Sequence, residues 1–237
     1  MKSDIKSKLS EPWVELKIGR PNKKQEIQYS QTFRQQEKLK FYQRAFDFLY
    51  TNKIVGDYFE FGCHTARTFR FGLKESIVRQ MKMDFYAFDS FEGLPNHKNN
   101  KKQNPWHVPG LLSTSEIQFK KLVSKFSKHR KITTIKGFYE NSLNNNLKKR
   151  LKLNKVKTSF INIDCDLEKS VSKSLDFALK FIVNGTILYI DDYYTTYKGD
   201  PRIGIPKIVK TLLNKNNIIY ENWYQSSSCG RSFLLYK

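Results

Sequence analysis

A chain of 237 residues, 39% hydrophobic, 14% aromatic and 27% charged, has the composition of a globular protein and the length for one sizeable core. Its apolar runs reach only about eight residues against the ~20 that a bilayer crossing needs, and positions 1–13 hold no apolar signal core, so neither a membrane span nor secretion is expected. The net charge of +21 invites a nucleic-acid reading, but 33 of the 43 cations are Lys and 10 are Arg, and 17 Asn accompany them, a bias that AAA and AAT codons produce without selection for phosphate binding.

The basic runs at 97–102, 120–131 and 148–157 read as solvated loops and helix faces, with no RNP-like or zinc-knuckle pattern. Cys63, Cys165 and Cys229 are odd in number, far apart and without a C-x-x-C pair. They predict a reduced, cytoplasmic protein with neither a disulfide framework nor a zinc site.

In chain order, residues 1–30 are polar and aperiodic and read as an N-terminal arm, leaving 31–237 as a single domain. Phe33, Leu39, Tyr42, Phe46 and Leu49 give a helical rhythm over 31–51. A first strand over 57–61 ends at Gly62, and a helix is expected over 65–83. The second strand, 84–89, carries an acid at each end and is followed by a long loop, 90–112, rich in Asn, Lys and Pro. A helix over 116–126, a strand over 132–135 and a strand over 159–163 come next. Val171, Leu175, Ala178, Leu179 and Ile182 form the apolar stripe of another helix, which Asn184-Gly185 is expected to stop before a fifth strand over 186–190. A helix over 205–213 and strands over 218–223 and 232–236 complete the series.

Strands alternating with helices predict an α/β fold, a doubly wound and mostly parallel seven-stranded sheet with helices on both faces. Only 224–231 separates the last two strands, too little for a parallel crossover, so they form an antiparallel C-terminal hairpin at the sheet edge. The arrangement resembles that of S-adenosylmethionine-dependent methyltransferases.

Ligands of such sheets bind at the carboxyl ends of the strands, and acids stand there repeatedly: Glu60, Asp89, Asp164 with Asp166, and Asp191 with Asp192. Gly62 lets backbone approach a ligand, but the segment is not G-x-G-x-x-G, which argues against the pyrophosphate of NAD or FAD. Asp89 stands where an acid accepts hydrogen bonds from ribose hydroxyls, and ribose without pyrophosphate fits S-adenosylmethionine. Asp164 and Asp166, at i and i+2, are expected on one side of an extended chain beside Asp191 and Asp192. Carboxylates converging in this way need a cation, and all-oxygen ligation suits Mg²⁺ or Ca²⁺, with Mg²⁺ preferred. The alternative is that Asp191-Asp192 caps the following helix or turn. Of the histidines, His97, His107 and His129 read as solvated, and His64 as a packing or cofactor contact rather than a base. Trp106 either joins a substrate lid or anchors its loop.

Five segments in order, Gly56-Asp57-Tyr58-Phe59-Glu60-Phe61-Gly62, Phe88-Asp89-Ser90-Phe91-Glu92-Gly93-Leu94-Pro95, Lys136-Gly137-Phe138-Tyr139-Glu140-Asn141-Ser142-Leu143, Asp164-Cys165-Asp166-Leu167-Glu168-Lys169-Ser170 and Ile190-Asp191-Asp192-Tyr193, resemble the motifs of the macrocin O-methyltransferase-like family. The resemblance implies a class I sugar O-methyltransferase using S-adenosylmethionine and Mg²⁺. It places Asp164, Asp191 and Asp192 as metal ligands and Asp166 as general base. It assigns the cofactor to Glu60, Gly62, Cys63, Thr68, Asp89, Ser90, Gly137, Phe138 and Asp164. Where the family has glycines after E-x-G, this chain has Ala66 and Arg67, and Cys165 replaces the glycine of D-x-D.

The leading expectation is therefore O-methylation of a sugar, a glycan or a glycosylated small molecule. An RNA methyltransferase, favoured by the charge, and a non-catalytic cofactor-binding protein of the same fold are the competing readings, and a homo-oligomer is left open.

Overall fold

The computed structural model describes residues 23–96, 108–127 and 130–237. Most of the expected arm, together with Trp106, His97, His107 and His129, lies outside the described residues. Helix α1 spans Lys23–Thr51, followed by β1 (Asp57–Phe61), α2 (Arg67–Val78), β2 (Phe85–Asp89), α3 (Glu116–Ser127) and β3 (Ile132–Lys136). Then come α4 (Tyr139–Ser142), α5 (Asn145–Leu153), β4 (Thr158–Ile163), α6 (Glu168–Ala178) and β5 (Ile182–Ile190). A 3₁₀ turn at Tyr197–Gly199, helix α7 (Gly204–Lys215) and strands β6 (Ile219–Ser226) and β7 (Gly230–Tyr236) end the chain.

The seven strands lie in the order β3-β2-β1-β4-β5-β7-β6. The first five are parallel, and β7 runs antiparallel to both β5 and β6, so the hairpin is at the edge as expected. Alternate side chains of each strand feed two cores. On one face Tyr58, Phe85, Phe160, Ile187 and Tyr189 pack under helices α1, α2 and α3; on the other Phe59, Phe61, Ile161, Ile163, Leu188 and Ile190 pack under α6 and α7. Both faces of the parallel strands are covered, which explains why β4 reads as a continuous buried run rather than an alternating one.

Helix α1 starts eight residues before the expected position 31, in sequence that lacks Gly and Pro and has no reason to break. Phe41, Tyr42, Ala45, Phe46 and Leu49 are fully buried on its inner face. Phe41 stacks on Tyr189 at 4.5 Å, and Tyr42 and Phe46 meet Phe160 at 5.2 and 5.4 Å, which fixes the helix across β4 and β5. Removing one such ring costs about 3–5 kcal/mol.

Asn184-Gly185 does not stop a helix. Helix α6 ends at Ala178, and the pair lies inside β5, where Gly185 takes φ +83° and the register to β4 slips between Thr158 and Phe160. A glycine with positive φ suits a bulge as well as a helix terminus, and the apolar Ile182 begins the strand instead of ending the helix. Helices α4 and α5 were not expected; α5 announces itself only by Asn144, whose side chain accepts from Leu147 N–H at 2.9 Å, and by buried Leu147 and Leu151.

Candidate active site

Register builds the site. Phe61 pairs with Ile163 and Ile163 with Ile190, so the residues that follow, Gly62, Asp164 and Asp191, stand side by side at the carboxyl edge. Backbone bonds lace them: Gly62 N–H to Phe88 carbonyl at 3.0 Å, Asp164 N–H to Phe61 carbonyl at 2.9 Å, Asp191 N–H to Ile163 carbonyl at 3.0 Å. Above this edge lies a cavity of about 550 Å³, walled on one side by Gln31, Arg34, Gln35 and Lys38 of α1.

Of the expected cofactor residues, Gly62, Cys63, Thr68, Asp89, Ser90, Phe138 and Asp164 line this cavity. Asp89 Oδ2 accepts the N–H groups of Cys63 and His64 at 2.6 and 3.2 Å, and Oδ1 accepts that of Phe91 at 2.7 Å. Asp89 therefore shapes the loop after β1, and Oδ1 keeps a lone pair for a further donor such as a ribose hydroxyl. That capacity, with the cavity's size and the glycine floor, fits S-adenosylmethionine. His64 Nδ1 lies 2.8 Å from the Leu112 carbonyl and 3.3 Å from Thr114 Oγ1, and the residue also lines the cavity, so the contacts join it both to the loop and to the site. Ala66 holds φ +58°, so alanine here adopts the left-handed backbone that the glycine in the family motif would favour.

Glu60 and Gly137 do not line the cavity. Gly137 borders a neighbouring surface hollow with Lys136 and Arg150. Glu60 lies fully buried behind the wall, where it accepts hydrogen bonds from Tyr58 and, at 2.8 Å, from Thr68, while Tyr58 also bonds Tyr42 of α1. Burial pushes its carboxyl from 4.5 up to about 7, against the pull of those hydrogen bonds. The folded chain thus holds this proton more tightly than the unfolded one. The resulting stability is fully present below 4.5 and is lost as pH rises to about 7, an effect on the order of 3 kcal/mol. Thermal unfolding should accordingly show Tm rising as pH is lowered from 8 to 6, with a shallower slope for Glu60→Gln; identical slopes for the two proteins would contradict the assignment.

The carboxylates Asp164, Asp191 and Asp192 each bring an oxygen within 4.8 Å of the others. Asp191 does not cap a helix: its Oδ1 accepts Tyr189 O–H at 2.8 Å and its Oδ2 accepts the Lys38 ammonium at 2.7 Å. Lys38 also reaches Asp164 Oδ2 at 3.4 Å. The cation that these converging carboxylates are expected to need is thus supplied in part by the protein itself, for the Arg34 guanidinium is also near enough that, against the effect of burial, the charges of Asp191, Asp192 and Asp164 raise its pKa. Asp192 Oδ1 accepts Thr195 O–H at 2.9 Å, a turn contact, whereas its Oδ2 is buried and accepts no hydrogen bond among the described residues. Burial first, then the charge of Asp191, raises Asp192 to about 7 and holds Asp164 well above the carboxylate range. A hard, all-oxygen set with an unsatisfied buried oxygen fits Mg²⁺.

Asp166 also lines the cavity, but by a different route from the extended i, i+2 pair expected. The strand ends at Ile163, and Asp166 takes φ +55° in a tight turn closed by Leu167 N–H to the Cys165 carbonyl at 2.5 Å. Such a conformation costs about 1–3 kcal/mol and is retained where the fold imposes it. Burial and then the charge of Asp164 lift this carboxyl to about 6.

Sequence reasoning missed the contribution of α1. A signal existed: Gln31, Arg34, Gln35 and Lys38 continue, at i, i+3, i+4 and i+7, the same stripe that becomes apolar at Phe41 and Tyr42.

The family described as Macrocin-O-methyltransferase (TylF) matches this chain over residues 17–203. No curated protein matches it. Among solved structures, that of the O-methyltransferase NovP aligns with TM-score 0.65 at 18% identity, over 85% of this chain and 80% of that one. That of CalS11, calicheamicin methyltransferase, aligns with TM-score 0.68 at 12% identity, over 99% of this chain and 94% of that one. An O-methyltransferase from Bacillus cereus, solved in complex with SAH, gives TM-score 0.51 at 13% identity, over 84% and 81% of the two chains. These similarities are of fold.

Proposed function

We propose a reaction for a chain that belongs to the macrocin-O-methyltransferase family and is an O-methyltransferase: S-adenosylmethionine- and Mg²⁺-dependent methylation of a hydroxyl on a sugar, a glycan or a glycosylated small molecule. The observation that carries it is the meeting, in one cavity, of an Asp89-braced glycine edge with the Asp164, Asp191 and Asp192 cluster. When bound, S-adenosylmethionine supplies an activated methyl group and the divalent ion a Lewis acid for the hydroxyl.

The chain's own residues position and deprotonate. Gly62, Cys63, Thr68, Asp89, Ser90 and Phe138 hold the donor against β1 and β2, and Asp164, Asp191 and Asp192 hold the ion. Gln31, Arg34 and Gln35 of α1 line the same cavity and are the residues this reading leaves to the acceptor. Asp166, held near 6, is ionised at neutral pH yet close enough to it to take the hydroxyl proton onto a carboxylate oxygen. Glu60 acts behind them by fixing Thr68 and Tyr58. The free thiols Cys63, Cys165 and Cys229 accord with a reduced, cytoplasmic setting.

The test is transfer of labelled methyl from S-adenosylmethionine to a panel of sugars, nucleotide sugars, glycans and RNA. Sugar-dependent incorporation that excess EDTA abolishes and Mg²⁺ restores is the expected result. Turnover unchanged in EDTA would remove the metal from this reading, and incorporation into RNA alone would replace the acceptor.

A further inference from the structure

We propose that Lys38 is a resident cation of the carboxylate cluster, one that engages two of the three candidate ligands and must move away when a divalent ion binds them. The inference rests on the metal-dependent reading above. Asp191 offers two oxygens: Oδ1 is engaged by Tyr189 O–H at 2.8 Å, and Oδ2 by the Lys38 ammonium at 2.7 Å. Lys38 is 6% exposed and leans on Asp164 Oδ2 as well, so it spans two of the three candidate ligands.

Distances set the conflict. Mg²⁺ binds carboxylate oxygen at about 2.0–2.1 Å, so an ion on Asp191 Oδ2 would stand at most about 4.8 Å from an ammonium left in its present place. Two cations that close, both out of water, repel strongly, and the oxygen's lone pairs are divided between them. The side chain has a means of leaving: its four-carbon stem is flexible, and the cavity that Gln31 and Arg34 line on the same helix face lies open beside it. Its backbone does not, since Phe41 and Tyr42, one turn on, are locked into the aromatic core. The direct contacts that tie Asp164 to Asp191 thus come from Lys38 before the ion arrives and from the ion afterwards. This makes Lys38 a positioning residue for Asp164 and Asp191 and sets the affinity of the site from outside the ligand set.

Mn²⁺ is a suitable probe, its free concentration followed by electron paramagnetic resonance with the full chain. Lys38→Met, which removes the ammonium and keeps most of the stem, should bind Mn²⁺ at least tenfold more tightly than the wild type. Lys38→Arg, which keeps the charge, should bind no more tightly than the wild type; a purely structural role would weaken both variants. The wild type gives a second measurement that no folding defect can obscure: amine-reactive labelling of Lys38, read by mass spectrometry, should rise when Mn²⁺ saturates the site. A folded Lys38→Met that binds Mn²⁺ no better than wild type, or labelling that Mn²⁺ leaves unchanged, overturns the proposal while leaving the metal reading intact. If neither wild type nor Lys38→Met binds Mn²⁺ at millimolar concentration, the metal reading fails and the proposal with it.

Discussion

Asp166→Asn should lower turnover by ~10²–10⁴-fold, the usual size of a general-base contribution, while the affinities for S-adenosylmethionine and Mn²⁺ stay nearly unchanged. The substitution keeps the shape of the side chain. Asn also tolerates the left-handed backbone that position 166 requires, so the turn closed by Leu167 N–H survives. What disappears is the acid of the Asp164 and Asp166 pair that meets neither Lys38 nor the candidate ion. Because burial and the neighbouring Asp164 lift this carboxyl to about 6, wild-type turnover should fall as pH drops below that value, and Asp166→Asn should lose that limb of the profile. Asp164→Asn should behave differently. It removes a candidate ligand and one of the two contacts of Lys38, so Mn²⁺ affinity falls and part of the lost rate returns at high Mg²⁺. Rescue of Asp166→Asn but not of Asp164→Asn by added Mg²⁺ would exchange the two roles.

The strands were legible because β1, β2, β4 and β5 are short buried runs ending in acids or glycine, and parallel register then sets those ends side by side whatever the helices do. The convergence of Asp164, Asp191 and Asp192 follows from that register alone. Two kinds of feature were hidden. Lys38 lies 126 residues from Asp164 and 153 from Asp191, and no local pattern marks which of 33 lysines is buried; only the continuation of the α1 stripe into Phe41 and Tyr42 points to it. Glu60 and Asn184-Gly185 are ambiguous for a different reason. An acid at a strand end reads the same whether it faces the cavity or, as Glu60 does, is turned back under the helices on Tyr58 and Thr68. A glycine with positive φ serves a helix terminus and a bulge equally well.

Gly62→Ala should be the most damaging small substitution at the site. The glycine holds φ +83°, and a Cβ built on it would lie 1.9 Å from the Asp164 carbonyl oxygen and 2.8 Å from its carbon. Both atoms are backbone, so no rotamer change relieves the contact. The exits of β1 and β4 would have to part, carrying Gly62 away from the donor side of the cavity and Asp164 away from Asp191. Left-handed strain and overpacking each cost about 1–3 kcal/mol, which puts the loss at roughly 2–6 kcal/mol, enough to unfold a marginal domain. Gly110→Ala provides the control. Gly110 also holds a positive φ, +75°, but among the described residues an added Cβ there meets nothing within 4 Å, so the backbone strain is the cost expected. Urea unfolding of the two variants separates collision from strain, and methyl transfer by any folded Gly62→Ala protein reports whether the strand ends have parted. If Gly62→Ala is no less stable than Gly110→Ala and transfers methyl at the wild-type rate, the close approach of β1 and β4 does not set the geometry of the site.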